Sequence, residues 1–235
     1  MLKFTPLEKI RIQKPVDRLS YVSQLCKDRR VLDIGCYDET AIKSKKDNGY
    51  WLHGLISKKA KKVIGIDSSD LIKSEIKTGP RSKIIKKDLY DLDKYFASAN
   101  KVDVIVAGEL IEHIPDVSKF LQLLKELYPG KTLLLTTPNA TSLTNVLLAF
   151  FDRESSHKDH IQIFSYKTLY ALSIKNNLKK FKIIPYHVRF TEMYFQSSKF
   201  KRFFIGLAEN TINFFENIFP LLSGGYVVNI KLKLR

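Results

Sequence analysis

Two short apolar runs constrain the fold of this chain more than any other feature: Arg30 to Cys36, RVLDIGC, and Val63 to Asp67, VIGID. Each is β-branched, too short for a helix, and stops at an acid or a glycine, which is the pattern of a fully buried strand in a parallel sheet. In a doubly wound sheet a ligand binds in the crevice at the carboxyl ends of the strands. Asp33, Gly35 and Asp67 therefore fall on one rim. Gly35 allows backbone to approach a ligand closely, and an acid closing the second strand is placed to accept hydrogen bonds from ribose hydroxyls. An adenosine-type ligand follows from that arrangement.

The rest of the chain repeats the theme. Val16 to Cys26 has Leu19, Val22 and Leu25 at helical spacing, after an irregular arm ending at Pro15. Tyr37 to Gly49 is polar and reads as a loop, Trp51 to Ala60 as a short helix, and Leu71 to Thr78 as another, closed by Gly79-Pro80. Strands are predicted at Lys83 to Lys87, Val102 to Ala107 and Leu133 to Thr136, with an amphipathic helix at Ser118 to Tyr128. Beyond Asn139 come helical segments at Leu143 to Phe151 and Tyr166 to Asn176, a strand at Phe181 to Tyr186, an aromatic-rich amphipathic stretch at Phe200 to Phe219, and an alternating closing strand at Tyr226 to Leu234. Strands alternating with helices specify a parallel α/β sheet.

The ordered series VLDIGC, GID, KKDL, VIVAGELIEHIPD and LLLTTPN resembles the class I S-adenosylmethionine-dependent methyltransferases, in particular the type 11 and type 23 branch with Glu-x-x-Glu-His after the fourth strand. The resemblance runs from about Arg30 to about Asn177. It implies a Rossmann-like doubly wound sheet of seven strands, mostly parallel with the last antiparallel and helices on both faces. It implies one domain: an arm and helix over 1–29, a cofactor-binding core over 30–139, and substrate-side helices with closing strands over 140–235. S-adenosyl-L-methionine would be held by Asp33, Gly35, Asp67, Ser68, Asp88, Leu89 and Gly108, with Asp67 on the ribose, Asp88 on the adenine amino group and Leu89 on the ring. The plain structural alternative for Asp67 and Asp88 is turn formation at strand ends; the two together at the family spacing favour ligand contact. Where the family carries further glycines, this chain has Tyr37 and Glu39, so the loop after Gly35 takes another path.

On the acceptor side stand Glu109, Glu112 and His113. In a helical turn these share a face, and two carboxylates with an imidazole can hold a divalent cation or a general base. His157 and His160 follow the fifth strand near the same rim. In one branch that the chain resembles, the RNA 3′-terminal 2′-O-methyltransferases, the matching positions bind a metal, which here implies Glu109, Glu112, His113 and His160. The same text occurs in relatives resembling quinone or glycan methyltransferases, where the histidine packs or orients substrate. Structural or acid–base use is placed ahead of metal, with His113, His160 and Glu109 as catalytic candidates and no metal committed. His53 reads as a packing histidine.

Composition bounds the partners. The chain of 235 residues is 44% hydrophobic and 27% charged, ordinary for a globule. No run spans a bilayer, the start has no secretory h-region, and Cys26 and Cys36 form no ligand or disulfide pattern, all of which fit a cytoplasmic home. The net charge of +16 favours an anionic partner, although its lysines are spread over groups at 43–46, 58–62, 83–87 and 179–182 rather than forming one stripe. The expected function is O-methylation of a small-molecule, glycan or lipid-linked acceptor. The alternatives are a metal-assisted RNA methyltransferase, disfavoured because nothing in the sequence reads as an appended RNA-binding module, and a non-catalytic methyltransferase-like binding protein. Peripheral contact of the 199–219 segment with an anionic membrane is weighed against an inward-facing lid, and the lid is preferred because an exposed row of phenylalanines is an aggregation liability.

Overall fold

The computed structural model describes residues 7–39 and 42–233. In chain order the elements are α1 (Arg18–Leu25), β1 (Arg30–Ile34), α2 (Ile42–Asp47), α3 (Leu52–Lys59), β2 (Lys62–Asp67), β3 (Ile76–Gly79), β4 (Ser82–Lys86), α4 (Lys94–Asn100), β5 (Val104–Gly108), α5 (Val117–Leu127), β6 (Thr132–Pro138), α6 (Leu143–Ala149), α7 (Tyr166–Lys175), β7 (Lys180–Tyr186), α8 (Thr191–Gln196), α9 (Lys199–Ile218) and β8 (Gly225–Lys231). Residues 7–15 are irregular up to Val16, which bridges Tyr186; the first six residues of the expected arm, and Leu234, lie outside the described residues.

The sheet has eight strands in the order β3-β4-β2-β1-β5-β6-β8-β7. The inner strands β4, β2, β1, β5 and β6 are parallel, and β8 runs antiparallel to both β6 and β7. The eighth strand, one more than expected, is β3, and it replaces the predicted helix over Leu71 to Thr78. Ile76 and Lys77 pair antiparallel with Ile84 and Lys83. A helix of eight residues is marginal on its own propensity, whereas the edge of β4 offers backbone partners at once. The Tyr37 to Gly49 segment is likewise not all loop, since α2 occupies part of it.

Alternation along each strand sends side chains to two cores. Leu32, Ile34, Ile66, Ile105 and Leu135 face α5 and α7, while Val31, Val63, Val104 and Leu134 face α1 and α3. Helix α5 shows why its sequence folds as it does. Asp116 caps it by accepting from the Lys119 N–H at 2.9 Å, a contribution of about 1 kcal/mol. Val117, Phe120, Leu121 and Leu124 recur at helical spacing and are buried, each adding roughly 1.5–3 kcal/mol.

The long helix α9 corrects one expectation outright. Its aromatic residues face outward, with Phe200 75% and Phe203 69% exposed, so they form no inward lid. Among the described residues no helix is long and apolar enough to cross a membrane.

Candidate active site

The strand order turns back on itself between β1 and β5, and the strand ends on either side open into one cavity of about 600 Å³. This is where an open α/β sheet takes its ligand. Asp33 and Gly35 reach it from β1, Asp67 and Ser68 from β2, Asp88 and Leu89 from the end of β4, and Gly108, Glu109 and His113 from β5 and the turn after it.

Gly35 has φ +68°, and its N–H donates to the Ile66 carbonyl at 2.9 Å. A Cβ there would stand 2.8 Å from Leu110 Cδ1, at the tip of a side chain that can move, so it is the conformation that requires glycine. The loop beyond it closes on Asp67 instead of using more glycines. The Tyr37 N–H donates to Asp67 Oδ2 at 2.8 Å and the Ser69 N–H to Oδ1 at 3.0 Å, while the Ser69 hydroxyl donates to Glu39. Each Asp67 oxygen keeps acceptor capacity, because a carboxylate oxygen has two lone pairs. Burial raises the Asp67 carboxyl above its ordinary value, countered by those two N–H bonds. Asp88 also caps a 3-10 turn at Leu89–Asp91 by accepting from the Tyr90 N–H at 2.7 Å.

Asp33 borders the cavity while almost wholly buried, with its carboxylate turned to His53 of α3. His53 Nδ1 is 2.9 Å from Asp33 Oδ2, and His53 Nε2 lies 3.0 and 3.1 Å from the Thr78 and Ser82 hydroxyls. A carboxylate can only accept, so Nδ1 carries the proton and Nε2 accepts from a hydroxyl. Cys36 completes a buried trio with them, but both ring nitrogens of His53 are engaged and burial pushes the Cys36 thiol up. The Asp33–His53 hydrogen bond, with the Cys36 thiol donating to the Ile66 carbonyl at 3.8 Å, supports the β1 end.

The turn after β5 divides the predicted acidic set. Glu109 adopts φ +52° and is drawn away by two partners that sequence reasoning missed: Arg18 Nη1 at 2.9 Å and the Tyr186 hydroxyl, which donates to Oε1 at 3.0 Å. Glu112 points inward, fully buried, and neither of its carboxylate oxygens makes a hydrogen bond of full geometry, although the Thr137 hydroxyl is close enough to favour its charged form. Burial, with the neighbouring Glu109 charge, pushes its carboxyl up to about 8. Ligand atoms of Glu112, His113 and His160 lie within 4.8 Å of one another, and Glu109 stands outside that group. His113 and His160 meet edge to face with centroids 4.7 Å apart, and His157 completes a histidine cluster at 5.7 Å from His160. Burial lowers the His160 pKa, and the two neighbouring imidazoles lower it further. His113 Nδ1 is 3.0 Å from the Asp159 carbonyl. That oxygen accepts only, so Nδ1 bears the proton and Nε2 is the free base.

A cleft at the switch point of a doubly wound sheet, with acids closing successive strands, defines a nucleotide-type cofactor site. The methyltransferase domain family, type 23, matches residues 7–182, and the chain belongs to it. It is an S-adenosyl-L-methionine-dependent methyltransferase. No curated protein matches the chain in sequence. Among solved structures it is similar to a SAM-dependent methyltransferase of Thermotoga maritima, at 14% identity over 92% of this chain and 87% of that one, with a TM-score of 0.56. It is also similar to the methyltransferase domain of a bacterial Hen1, at 15% identity over 92% and 98% with a TM-score of 0.53. The small RNA methyltransferase HEN1 is similar at 14% identity over 95% of this chain and 27% of that one, with a TM-score of 0.54. At such identities these likenesses concern the fold.

Proposed function

We propose that the chain methylates a hydroxyl oxygen of a small-molecule, glycan or lipid-linked acceptor, with His113 taking the hydroxyl proton. The observation that carries this reading is the tautomer of His113: its Nδ1–H is committed to the Asp159 carbonyl, which leaves a basic Nε2 on a residue lining the cavity. S-adenosyl-L-methionine, when bound, supplies a methyl group already activated on a sulfonium. The chain's own work is alignment and proton removal. Asp67 and Ser68 would hold the ribose, Asp88 and Leu89 the adenine, and Gly35 and Gly108 would admit the cofactor near backbone. Glu109, steadied by Arg18 and Tyr186, offers the acceptor an oriented carboxylate. His160, whose pKa is lowered by burial and by the neighbouring imidazoles, stands edge to face with His113.

The experiment is transfer of labelled methyl groups to fractionated cell extract. Label entering small-molecule, glycan or lipid fractions, and reduced about a hundredfold by His113→Ala, supports the reading. Label confined to RNA overturns it.

One observation favours a second reading, a metal-assisted enzyme acting on RNA. Glu112 is buried without a well-formed hydrogen bond beside His113 and His160, and a carboxylate with two imidazoles is a suitable donor set for a divalent ion. Those three residues would hold the ion, which would supply Lewis acidity at the acceptor oxygen. Glu109, paired with Arg18, would have to leave that partner to join them.

A further inference from the structure

Helix α9 is amphipathic in the reverse sense to a surface helix of a globular protein. Its polar stripe faces the protein. Arg202 donates from Nε to the Tyr194 and Ser197 carbonyls at 3.0 Å each, and from Nη2 to the Phe195 carbonyl at 3.1 Å. One and two heptads on, Glu209 accepts from the Phe190 N–H at 2.7 Å and from Arg189 at 2.9 Å. Glu216, fully buried, accepts from His187 Nδ1 at 2.9 Å and the Val188 N–H at 3.2 Å. The apolar stripe faces outward: Phe200, Phe203, Phe204, Leu207, Phe214 and Ile218 are all exposed. The neighbouring α6 and its C-terminal turn extend the surface with Phe150, 80% exposed, and Phe151, 75% exposed.

An apolar strip of this length exceeds the isolated exposed residues that a soluble surface carries and marks an interaction face. We propose that the α9 and α6 face docks on an anionic lipid bilayer, with α9 lying in the plane of the interface. Charge selects the occupant. The chain carries +16, so two copies repel each other while an anionic surface attracts each. Lys199 and Lys201, both exposed, stand at the N-terminal end of the strip, where they reach headgroups as the phenylalanines enter the acyl boundary. No helix among the described residues can cross the bilayer, so the contact is peripheral. The inward stripe of α9 fixes residues 187–195, several of which wall the cofactor cavity, and the docked face is thus continuous with the site. The inference does not depend on the acceptor.

The test is co-sedimentation of the purified 235-residue chain with vesicles of phosphatidylglycerol and phosphatidylcholine in equal parts, against phosphatidylcholine alone, without cofactor or acceptor. We expect sedimentation with the anionic vesicles at low salt and release near 1 M salt, where the screening length is about 3 Å. Phe203→Ser combined with Phe204→Ser lowers partitioning at least about tenfold. Lys199→Glu combined with Lys201→Glu lowers it about thirtyfold at low salt and much less at high salt. Both pairs are exposed, so circular dichroism melts should match the parent; should the phenylalanine pair not fold, the lysine pair decides. Equal sedimentation with both vesicle types, or with neither, overturns the proposal. So does a dimer of the parent in sedimentation velocity that the phenylalanine variant converts to monomer, because the face would then be a self-association surface.

Discussion

Tyr186 and Glu109 stand 77 residues apart in sequence, and the Tyr186 hydroxyl donates to Glu109 Oε1 at 3.0 Å. Arg18 closes the same group from α1, with Nη1 2.9 Å from Glu109 Oε2. Two distant segments therefore orient one carboxylate on the cavity wall, and that residue sits at φ +52°, a left-handed conformation that costs a non-glycine residue about 1–2 kcal/mol. Strain held at a site by surrounding contacts points to a function for the side chain.

The strain is testable by comparing two truncations. Glu109→Ala and Glu109→Gly both remove the carboxylate, and only glycine relieves the backbone. The glycine variant should be more stable than the alanine variant by about 1 kcal/mol, read from urea midpoints, while both lose methyl transfer by about tenfold or more. Equal stability would show that the backbone there is unstrained.

Asp67 is predicted to carry the ribose. Charge-assisted hydrogen bonds contribute roughly 1.5–3 kcal/mol each, so Asp67→Ala should weaken S-adenosylmethionine binding at least about tenfold, or 1.4 kcal/mol, in calorimetric titration. The variant also frees the Tyr37 and Ser69 N–H groups, and its circular dichroism should nevertheless remain that of a folded protein. Unchanged affinity in the folded variant removes Asp67 from the cofactor site.

Chelation separates the two readings of the histidine cluster. If His113 acts as a base, activity persists in chelator and is lost in His113→Ala. If Glu112, His113 and His160 hold a divalent ion, chelator abolishes activity, magnesium or manganese restores it, and His160→Ala loses both the activity and the metal response.

Asp103 supplies a pH dependence far from the site. It accepts from Arg30 Nη2 at 2.7 Å and Nε at 2.9 Å, and this pairing lowers its carboxyl to about 2. The folded value lies below the unfolded one of about 3.9, so the pair's stabilisation is complete above that unfolded value and is lost as pH falls through about 2. Asp103→Asn should cost about 1–2 kcal/mol at pH 7, allowing for solvent screening, and the gap from the parent should close towards pH 2. A gap that stays constant across that range would assign the loss to packing.

The sequence by itself determined the sheet's parallel centre, because β1, β2, β5 and β6 are buried on both faces and must be short and apolar wherever they pair. It likewise determined the rim, since Asp67 and Asp88 end strands whose carboxyl ends meet wherever such a sheet closes. Tertiary structure alone decided three things. Residues Ile76–Gly79 became a strand because the edge of β4 was free to pair, an opportunity that local propensity does not encode. The text Glu-x-x-Glu-His put its charges three and four apart, but the turning of Glu109 away from Glu112 and His113 depended on Arg18, 91 positions before Glu109 by residue number, and on Tyr186 far after it. Helix α9 displayed its period in the sequence, and a period defines two faces without saying which is inward. The backbone N–H and carbonyl groups of residues 188–197 needed Arg202, Glu209 and Glu216 as partners, and that requirement turned the phenylalanines outward.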